Sequence, residues 1–303
     1  MRMVLAGGTG FIGGALGESL VQKGHEVVIL TRRGHLENRP GIRTRYVRWN
    51  PSEGGAWERE LDGADGIINL AGEPLVGKRW NREQKQKILE SRTGSTKGLV
   101  RALVSAKRKP SFLINASAVG YYGAHGDEEL TEETPPGRDF LGEVCQAWEA
   151  PALGAEESGV RVLRLRIGIV LEKGGGALGK MLTPFQLGLG GPLGTGRQWM
   201  SWIHREDLIR LIGFLIEKKE LRGAVNATAP LPVTMKEFAE TLGRVLHRPA
   251  FFPVPAPALR ILLGEMAEVL LTGQRVLPRR ALLAGFAFKF PRLESALIEI
   301  LKR

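Results

Sequence analysis

The sequence predicts an α/β fold of Rossmann type, a doubly wound parallel sheet followed by a small, mostly helical C-terminal lobe. Over the first three quarters of the chain, short apolar runs alternate with stretches of helical periodicity, which is the pattern of βαβ units. The glycine-rich segment Gly7–Gly13 (GGTGFIG) lies between the first apolar run and the first helical stretch. A dinucleotide-binding fold places its glycine loop at this position.

The elements are predicted in order from the same two periodicities. The predicted strands cover residues 3–6, 25–30, 45–49, 66–70, 112–117 and 161–170. The predicted helices between them cover residues 11–23, 82–107, 140–158 and 205–219. In the first helix, for example, Ile12, Ala15, Leu16 and Leu20 share one face.

A change of pattern near residue 230 predicts a second lobe. Prolines become frequent there, and three helical stretches follow at about 234–246, 257–272 and 292–302 with few strand signals. We therefore predict a cofactor-binding domain over 1–230, with part of the substrate lobe inserted at about 172–200, and a C-terminal substrate lobe over 231–303.

Composition limits the classes of function. The chain has 303 residues, a net charge of +11 and a single cysteine, Cys145, so no intramolecular disulfide can form and a reducing, cytoplasmic setting is expected. No apolar run is long enough to span a membrane, so no membrane is expected. Residues 78–109 hold eleven Lys or Arg against two acids. Such a stretch is either a solvated helix face or a surface that attracts phosphorylated ligands. Nucleic acid is not expected, because no recognition motif accompanies the charge.

The glycine segment has the chemistry of a pyrophosphate cradle. Gly7 permits the tight turn, Gly10 lets the backbone approach the phosphates, and Gly13 lets the helix pack closely on the sheet. The N-terminus of the following helix then offers free N–H groups and the positive end of its dipole. Thr9, Phe11 and Ile12 complete the predicted cradle.

The end of the second strand indicates NADP rather than NAD. An NAD site places Asp or Glu there to hold the ribose hydroxyls, whereas this strand ends Leu30-Thr31-Arg32-Arg33 without an acid. A guanidinium can pair with the 2′-phosphate in two hydrogen bonds. We predict that Arg32 holds this phosphate, that Arg33 is the second choice, and that the alternative is two surface arginines.

Four segments together resemble the extended short-chain dehydrogenase/reductases, which include the NAD-dependent epimerase/dehydratases of nucleotide sugars. These segments are Gly7–Gly13, Asn69–Gly72, Ser117–Gly123 and Trp202–Asp207. A closer resemblance is to an atypical branch called epimerase-family proteins, which end in a C-terminal domain of unknown function; it would cover about 250–300 here, including Gly273–Pro278.

The resemblance implies roles for several positions. Leu70, Ala71 and Gly72 should line the cofactor after the fourth strand, and Arg92 occupies a slot that holds Asn in the parent superfamily and faces the nicotinamide half of the cofactor. Ser117 resembles the active-site Ser or Thr that polarises a substrate oxygen. The match there is loose by one residue, so Ala118 is the alternative occupant of this slot.

The helix after the fifth strand departs from the family. The parent superfamily uses a Tyr followed four residues later by a Lys, where the Lys lowers the pKa of the Tyr and the Tyr moves the proton. Here the segment Asp139–Glu149 contains neither residue, and the two slots fall on Leu141 and Cys145. The usual proton relay is therefore absent.

Other groups would then have to perform any acid–base chemistry. We predict Ser117, Tyr122 and Glu143 as catalytic residues, with structural roles as the alternative for each. Tyr121 lies beside the same strand end. The lone His204 gives no metal site. The glycine-rich segment 172–180 is interpreted as a loop that covers the cofactor or substrate.

Two functions remain open from the sequence. The first is an NADP(H)-binding oxidoreductase or epimerase-like enzyme that acts on an unknown small molecule, with the nicotinamide as the source of hydride chemistry. The alternative is a non-catalytic NADP-binding sensor or partner-binding protein, which the missing Tyr and Lys favour. The protein is expected to be a monomer, or a dimer through a surface other than the basic stretch 78–109 packed on itself.

Overall fold

The computed structural model describes residues 1–32 and 43–302, and its centre is a parallel sheet of seven strands. These are β1 (Arg2–Ala6), β2 (Glu26–Thr31), β3 (Thr44–Arg48), β4 (Gly66–Asn69), β5 (Phe112–Ala118), β7 (Arg161–Ile167) and β11 (Gly223–Ala227), with β6 (Glu129–Leu130) lying outside the sheet. Their order is β3-β2-β1-β4-β5-β7-β11. The order reverses between β1 and β4, and open α/β sheets bind ligands at such a point.

Helices cover both faces of this sheet. On one face lie α1 (Phe11–Gln22) and α5 (Arg205–Glu217), and on the other lie α2 (Arg82–Ser105) and α3 (Phe140–Leu153). Each pair seals its own cluster of buried apolar side chains against the strands. Because both faces are covered, the inner strands are continuous apolar runs such as Met3–Ala6 rather than alternating ones. The predicted fold class is confirmed.

A third apolar cluster lies beyond the carboxyl ends of the strands. It joins α4 (Gly176–Gln186), α6 (Met235–Leu246) and α10 (Leu293–Lys302) around the fully buried Trp202. The remaining short elements of this region are β8 (Ile169–Leu171), β9 (Trp199–Met200), β10 (Trp202–His204), β12 (Val233–Thr234), α7 (Ala256–Leu263), α8 (Glu268–Leu271), β13 (Arg275–Val276) and α9 (Arg279–Leu283). The predicted domain boundary at residue 230 stays a prediction.

Several elements differ from the sequence prediction. The predicted helix 257–272 is divided at Gly264, which has φ +61°, into α7 and α8. The predicted strand 161–170 is interrupted at Gly168, where a Cβ would lie 2.4 Å from the Ser201 carbonyl oxygen, and β8 leaves the main sheet to pair with β10. The glycine-rich segment 172–180 is not all loop, because α4 begins at Gly176. Its Leu178, Leu182 and Phe185 are buried at helical spacing, a signal that the glycines obscured. The strand β11 was not predicted at all.

Asp207 fixes the C-terminal region to the sheet. Its carboxylate is fully buried in the first turn of α5 and accepts hydrogen bonds from the backbone N–H groups of Lys289 and Phe290, both at 2.8 Å. The segment Trp202–Asp207 thus holds the C-terminal region through a buried acid. No helix among residues 1–32 and 43–302 combines the length and apolarity needed to cross a membrane.

Candidate functional site

The glycine loop packs so closely that side chains are excluded from it. Gly7 has φ +78°, and a Cβ there would lie 2.8 Å from the carbonyl carbon of Leu70. A Cβ on Gly13 would lie 2.2 Å from the Gly7 carbonyl oxygen. These contacts bring the loop, the start of α1 and the end of β4 together into one backbone-lined cradle.

The start of α1 fits an anionic ligand. Gly10 caps the helix without a side-chain hydrogen bond, and the first turn, which holds Phe11 and Ile12, contains no acid. The first N–H groups of a helix have no intrahelical acceptor, so they attract phosphate oxygens together with the helix dipole. The half-exposed Thr9 lies in the same loop. The geometry fits a dinucleotide pyrophosphate.

The end of β2 carries a surface cation, and its described residues include no acid. Thr31 is buried as the last residue of the strand, and Arg32 follows it on the surface. Leu30 of this strand is in register with Ala6, the last residue before the glycine loop. Arg32 is therefore at the edge of the sheet where the loop lies, and its position fits a 2′-phosphate. Arg33 lies outside the described residues.

The end of β4 is held by a buried pair of amides. Asn69 donates from Nδ2 to Asn115 Oδ1 at 2.8 Å, and its own Oδ1 accepts from the N–H of Ala71 at 3.2 Å. The chain then turns through Gly72, where a Cβ would lie 3.3 Å from the guanidinium carbon of Arg92. Leu70, Ala71 and Gly72 thus connect the glycine loop to the neighbourhood of Arg92.

A cavity of about 500 Å³ lies between the ends of β5 and β7 and the third apolar cluster. Its walls are mainly apolar and include Leu75, Trp80, Ala118, Phe140, Leu141, Val144, Trp148, Ile167, Ile169, Met181, Leu193, Trp199, Met200, Met235, Val269 and Leu270. Its charged lining residues are Lys85, Arg92, Asp139, Glu265 and Glu268. This volume is in the range of ordinary small-molecule sites.

Both slots vacated by the family's proton relay open onto this cavity. Leu141 and Cys145 line it from α3. Burial raises the pKa of the Cys145 thiol to about 12, and the negative charge of Glu149 is the second cause of this rise. The thiol therefore stays protonated near neutral pH and does not replace the missing acid–base groups.

Arg92 reaches the same place from α2. It is only 8% exposed, donates from Nη1 to the Ile88 carbonyl at 3.0 Å and stacks 4.9 Å from the centre of the Trp148 ring. Its positive charge lies close enough to Cys145 to lower the pKa of the thiol in part. Desolvation lowers the pKa of the guanidinium. A cation from α2 thus stands beside the slot where α3 would carry Lys in the parent superfamily.

The structure does not bring the three predicted catalytic residues together. Ser117 is buried, its hydroxyl has no hydrogen-bond partner among the described residues, and Ala118 rather than Ser117 lines the cavity. Tyr122 is fully buried away from the lining. Glu143 is exposed on α3 and is not part of the lining. The catalytic assignment of the three residues stays a prediction.

Tyr122 belongs to a buried polar network beside the cavity. Its hydroxyl donates to Asn226 Oδ1 at 2.6 Å and accepts from Arg166 Nη1 at 3.1 Å. Arg166 also forms two hydrogen bonds with Glu149, at 2.8 and 3.1 Å. Burial raises the pKa of Tyr122 to about 12. Sequence analysis missed Arg166 and Glu149, although two arginines alternating within the apolar β7 run (RVLRLRI) indicated buried charge.

A second cluster ties the glycine loop to the segment after β8. Arg205 pairs with Glu172 at 2.9 Å and lies 5.2 Å from the centre of the Phe11 ring. The same ring packs on Gly175, where a Cβ would lie 2.8 Å from it. The segment 172–180 therefore touches the predicted cofactor loop, as its interpretation as a covering element requires.

The cavity is closed by contacts between distant parts of the chain. Lys85 of α2 pairs with Glu265, and Arg79 donates to the Ile261 carbonyl at 3.1 Å. Trp80 forms an isolated β-bridge with Gly264. The segment around residues 261–269 is thereby fixed over the start of α2.

Known proteins are similar to this chain over its whole length. Residues 3–227 match the NAD-dependent epimerase/dehydratase family, and residues 254–300 match a domain of unknown function, DUF1731. The epimerase family protein YfhF of Bacillus subtilis is 42% identical, over 99% of this chain and 98% of its own.

Two solved structures share the fold and more than 30% of the sequence. The human epimerase family protein SDR39U1, in a crystal structure with NADPH, has a TM-score of 0.88 and 37% identity over 100% of both chains. A nucleoside-diphosphate sugar epimerase from Corynebacterium glutamicum has a TM-score of 0.80 and 33% identity over 99% of this chain and 58% of its own.

Proposed function

The chain belongs to the NAD-dependent epimerase/dehydratase family, and on that premise we propose that it binds NADP(H) and acts as an oxidoreductase or epimerase-like enzyme on a small molecule. The observation that carries the proposal is the continuous path from the glycine loop through Leu70–Gly72 to Arg92. The human relative whose crystal structure contains NADPH supports the choice of cofactor.

Different residues would bind the different parts of the cofactor. Gly7, Gly10 and Gly13 leave room for the pyrophosphate, and α1 directs its dipole at it. Arg32 holds the 2′-phosphate. When bound, the nicotinamide supplies the hydride chemistry.

Arg92 is the charged group that we propose acts at the reacting end of the cavity. Arg92 provides a fixed positive charge at the cavity wall, which can stabilise negative charge that develops on a ligand oxygen. Ser117 is buried and does not line the cavity. Tyr122 and Glu143 would have to change their side-chain positions to reach a ligand in the cavity.

Purified protein tests the proposal directly. We expect saturable NADPH binding and transfer of the isotope from nicotinamide-deuterated NADPH to members of a panel of ketones, aldehydes and sugars. Failure to bind NADPH at millimolar concentration would overturn it.

A non-catalytic binder is the second candidate, because Leu141 and Cys145 leave the relay positions without an acid or base. Tight NADPH binding without isotope transfer to any panel member, or to the metabolites extracted with the protein, would favour this candidate.

Assembly and location stay predictions. We expect a monomer, or a dimer that does not pack the face of residues 82–107 on itself, since that face lies within the basic stretch. Light scattering at low and moderate salt measures the state. The one cysteine, Cys145, is buried and unpaired, which supports the cytoplasmic location that we propose.

A further inference from the structure

The cavity beyond the strand ends is built for an apolar ligand. Three tryptophans line it, Trp80, Trp148 and Trp199, together with three methionines, Met181, Met200 and Met235. Methionine side chains adapt to flat or branched apolar groups, tryptophans add large rigid apolar faces, and both offer few hydrogen bonds.

The charges of the lining do not suit a highly charged ligand. The lining holds two cations beside three carboxylates, so it offers no cluster of unpaired cations to match a diphosphate. A nucleoside-diphosphate sugar brings two phosphate charges and many hydroxyl groups, and most of them would stay unmatched among these apolar walls.

Most of these charges are already engaged. Lys85 pairs with Glu265, and Glu268 accepts from Arg260 Nε at 2.8 Å. Asp139 caps α3 by accepting the Gly142 N–H at 2.8 Å. Their charges are neutralised or hydrogen-bonded locally and offer little to a ligand.

Arg92 differs from the other charged residues of the wall. Among the described residues no carboxylate lies within ion-pair distance of it. Its hydrogen bond to the Ile88 carbonyl uses one of the five N–H donors of the guanidinium. The guanidinium is nearly buried against Trp148. An underpaired, desolvated cation gains strongly from one anion placed beside it.

We propose that this cavity binds a small carboxylic acid with an apolar alkyl or aryl body, that the carboxylate pairs with Arg92, and that nucleotide-linked sugars are excluded. The inference deepens the proposed function by naming the ligand class of the same cavity. A carbonyl or hydroxyl group on that body would be the reacting centre.

Binding to the whole protein with NADP⁺ present tests the proposal without relying on activity. The ligands are phenylpyruvate, 4-methyl-2-oxopentanoate and benzoate, each beside its uncharged methyl ester, and UDP-glucose. Calorimetry gives the affinities, and quenching of tryptophan fluorescence reports entry, because three tryptophans line the cavity.

Three variants separate charge from shape. Arg92→Met removes the charge, Arg92→Lys keeps it without the planar fork, and Lys97→Met removes an exposed cation from the same helix as a control. We expect at least one acid to bind about tenfold or more tighter than its ester in the wild type and in Lys97→Met. The preference should shrink in Arg92→Lys and vanish in Arg92→Met, while UDP-glucose shows no saturable binding.

Each other outcome is decisive. UDP-glucose binding tighter than every acid, an acid preference that survives in Arg92→Met, or no acid that binds better than its ester would overturn the proposal. Should Arg92→Met fail to fold, the ester comparison in the wild type and Arg92→Lys still decides. NADPH affinity is measured separately. If NADPH binds while the acids fail, only the ligand class is wrong; if the acids bind through Arg92 while NADPH does not, only the proposed function is wrong.

Discussion

The guanidinium of Arg92 on α2 stacks on the indole of Trp148 on α3, with 4.9 Å between its central carbon and the ring centre. This contact places a positive charge between two helices, next to Cys145 at the slot where the parent superfamily carries Lys. Arg92 and a lysine at position 145 would therefore compete for one buried charge site.

We expect Cys145→Lys to destabilise the protein by about 3–5 kcal/mol. A second buried cation would stand beside Arg92, and the carboxylate of Glu149, whose charge acts on position 145, is already paired with Arg164 and Arg166. Adding Arg92→Met to this variant should restore part of the lost stability, because it removes the repulsion between the two cations. The coupling energy between positions 92 and 145 should be about 0.5–3 kcal/mol. Denaturant unfolding of the single and double variants measures it, with Cys145→Met as the control for side-chain size. Strictly additive effects would show that the two positions do not share one charge site.

Adjacent glycines of α1 should respond in opposite directions. Gly13→Ala places a methyl group 2.2 Å from the Gly7 carbonyl oxygen, whereas at Gly14 the nearest atom lies 3.8 Å away. Gly13→Ala should lower stability and abolish NADPH binding. Gly14→Ala should raise stability by about 0.5–1 kcal/mol through its helix propensity. Thermal unfolding and NADPH titration check both, and equal behaviour of the two variants would contradict the packing described.

Arg32 should determine the choice between NADP and NAD. Arg32→Ala should weaken NADPH binding by about 1.5–3 kcal/mol, the usual value of a hydrogen bond to a charged group, and leave NADH binding nearly unchanged. The exposed Arg59 supplies a control, Arg59→Ala, away from the strand ends. Titration with both cofactors measures the difference. Equal wild-type affinities for NADPH and NADH would sink the assignment.

Tyr122→Phe should act on stability more than on activity. Removing the hydroxyl leaves Asn226 and Arg166 short of a buried partner, at a cost of about 1–3 kcal/mol. Turnover of the folded variant should stay within about twofold, since a lost proton-transfer group would cost about 10²–10⁴. Tyr121→Phe is the matched control. A loss in turnover of that larger size would assign Tyr122 a role in catalysis.

Glu132 should make stability fall as pH rises. Its carboxylate accepts from the N–H groups of Asn226 at 3.0 Å and Arg280 at 3.2 Å, and burial raises its pKa. The folded state therefore holds the proton more tightly than the unfolded state. The associated stability is complete below the ordinary carboxyl pKa and is lost as pH rises through the raised one.

Glu132→Gln should remove this pH dependence, because an amide oxygen can accept both hydrogen bonds without ionising. Unfolding measured from acidic to neutral pH checks the slope. The neighbouring Glu133, whose pKa is lowered by the Thr131 hydroxyl, has the opposite sign: its stability is lost as pH falls, so Glu133→Gln is the control. An unchanged slope in Glu132→Gln would show that another group titrates.

The sheet was predictable from sequence because its inner strands are apolar on both faces. The runs 3–6 and 112–117 read as buried strands and are β1 and β5. The strand β11 was not predicted because its five residues, GAVNA, include Gly and Asn, which are rare in strands. Its Val225 and Asn226 are buried only because β7 lies beside it.

The site was predictable only in part, because some of its side chains are oriented by partners far along the chain. The glycine loop and Arg92 follow from local order and from family slots, and the structure joins them. Tyr122 also lies near a strand end, but its side chain turns into the network of Arg166 and Asn226. Which way a side chain turns at a strand end depends on partners far along the chain, and no local pattern carries that information.

The close packing of the glycine loop has a consequence for how this protein can change over evolutionary time. Gly7 and Gly13 touch backbone atoms, so almost every substitution there disturbs the fold itself. Arg32 stands at the surface at the end of β2, where exchange of one side chain for another costs the fold little. Under the proposed function, the capacity to bind a dinucleotide is thus inherited almost without variation, whereas the preference between NADP and NAD can drift or be selected by single substitutions.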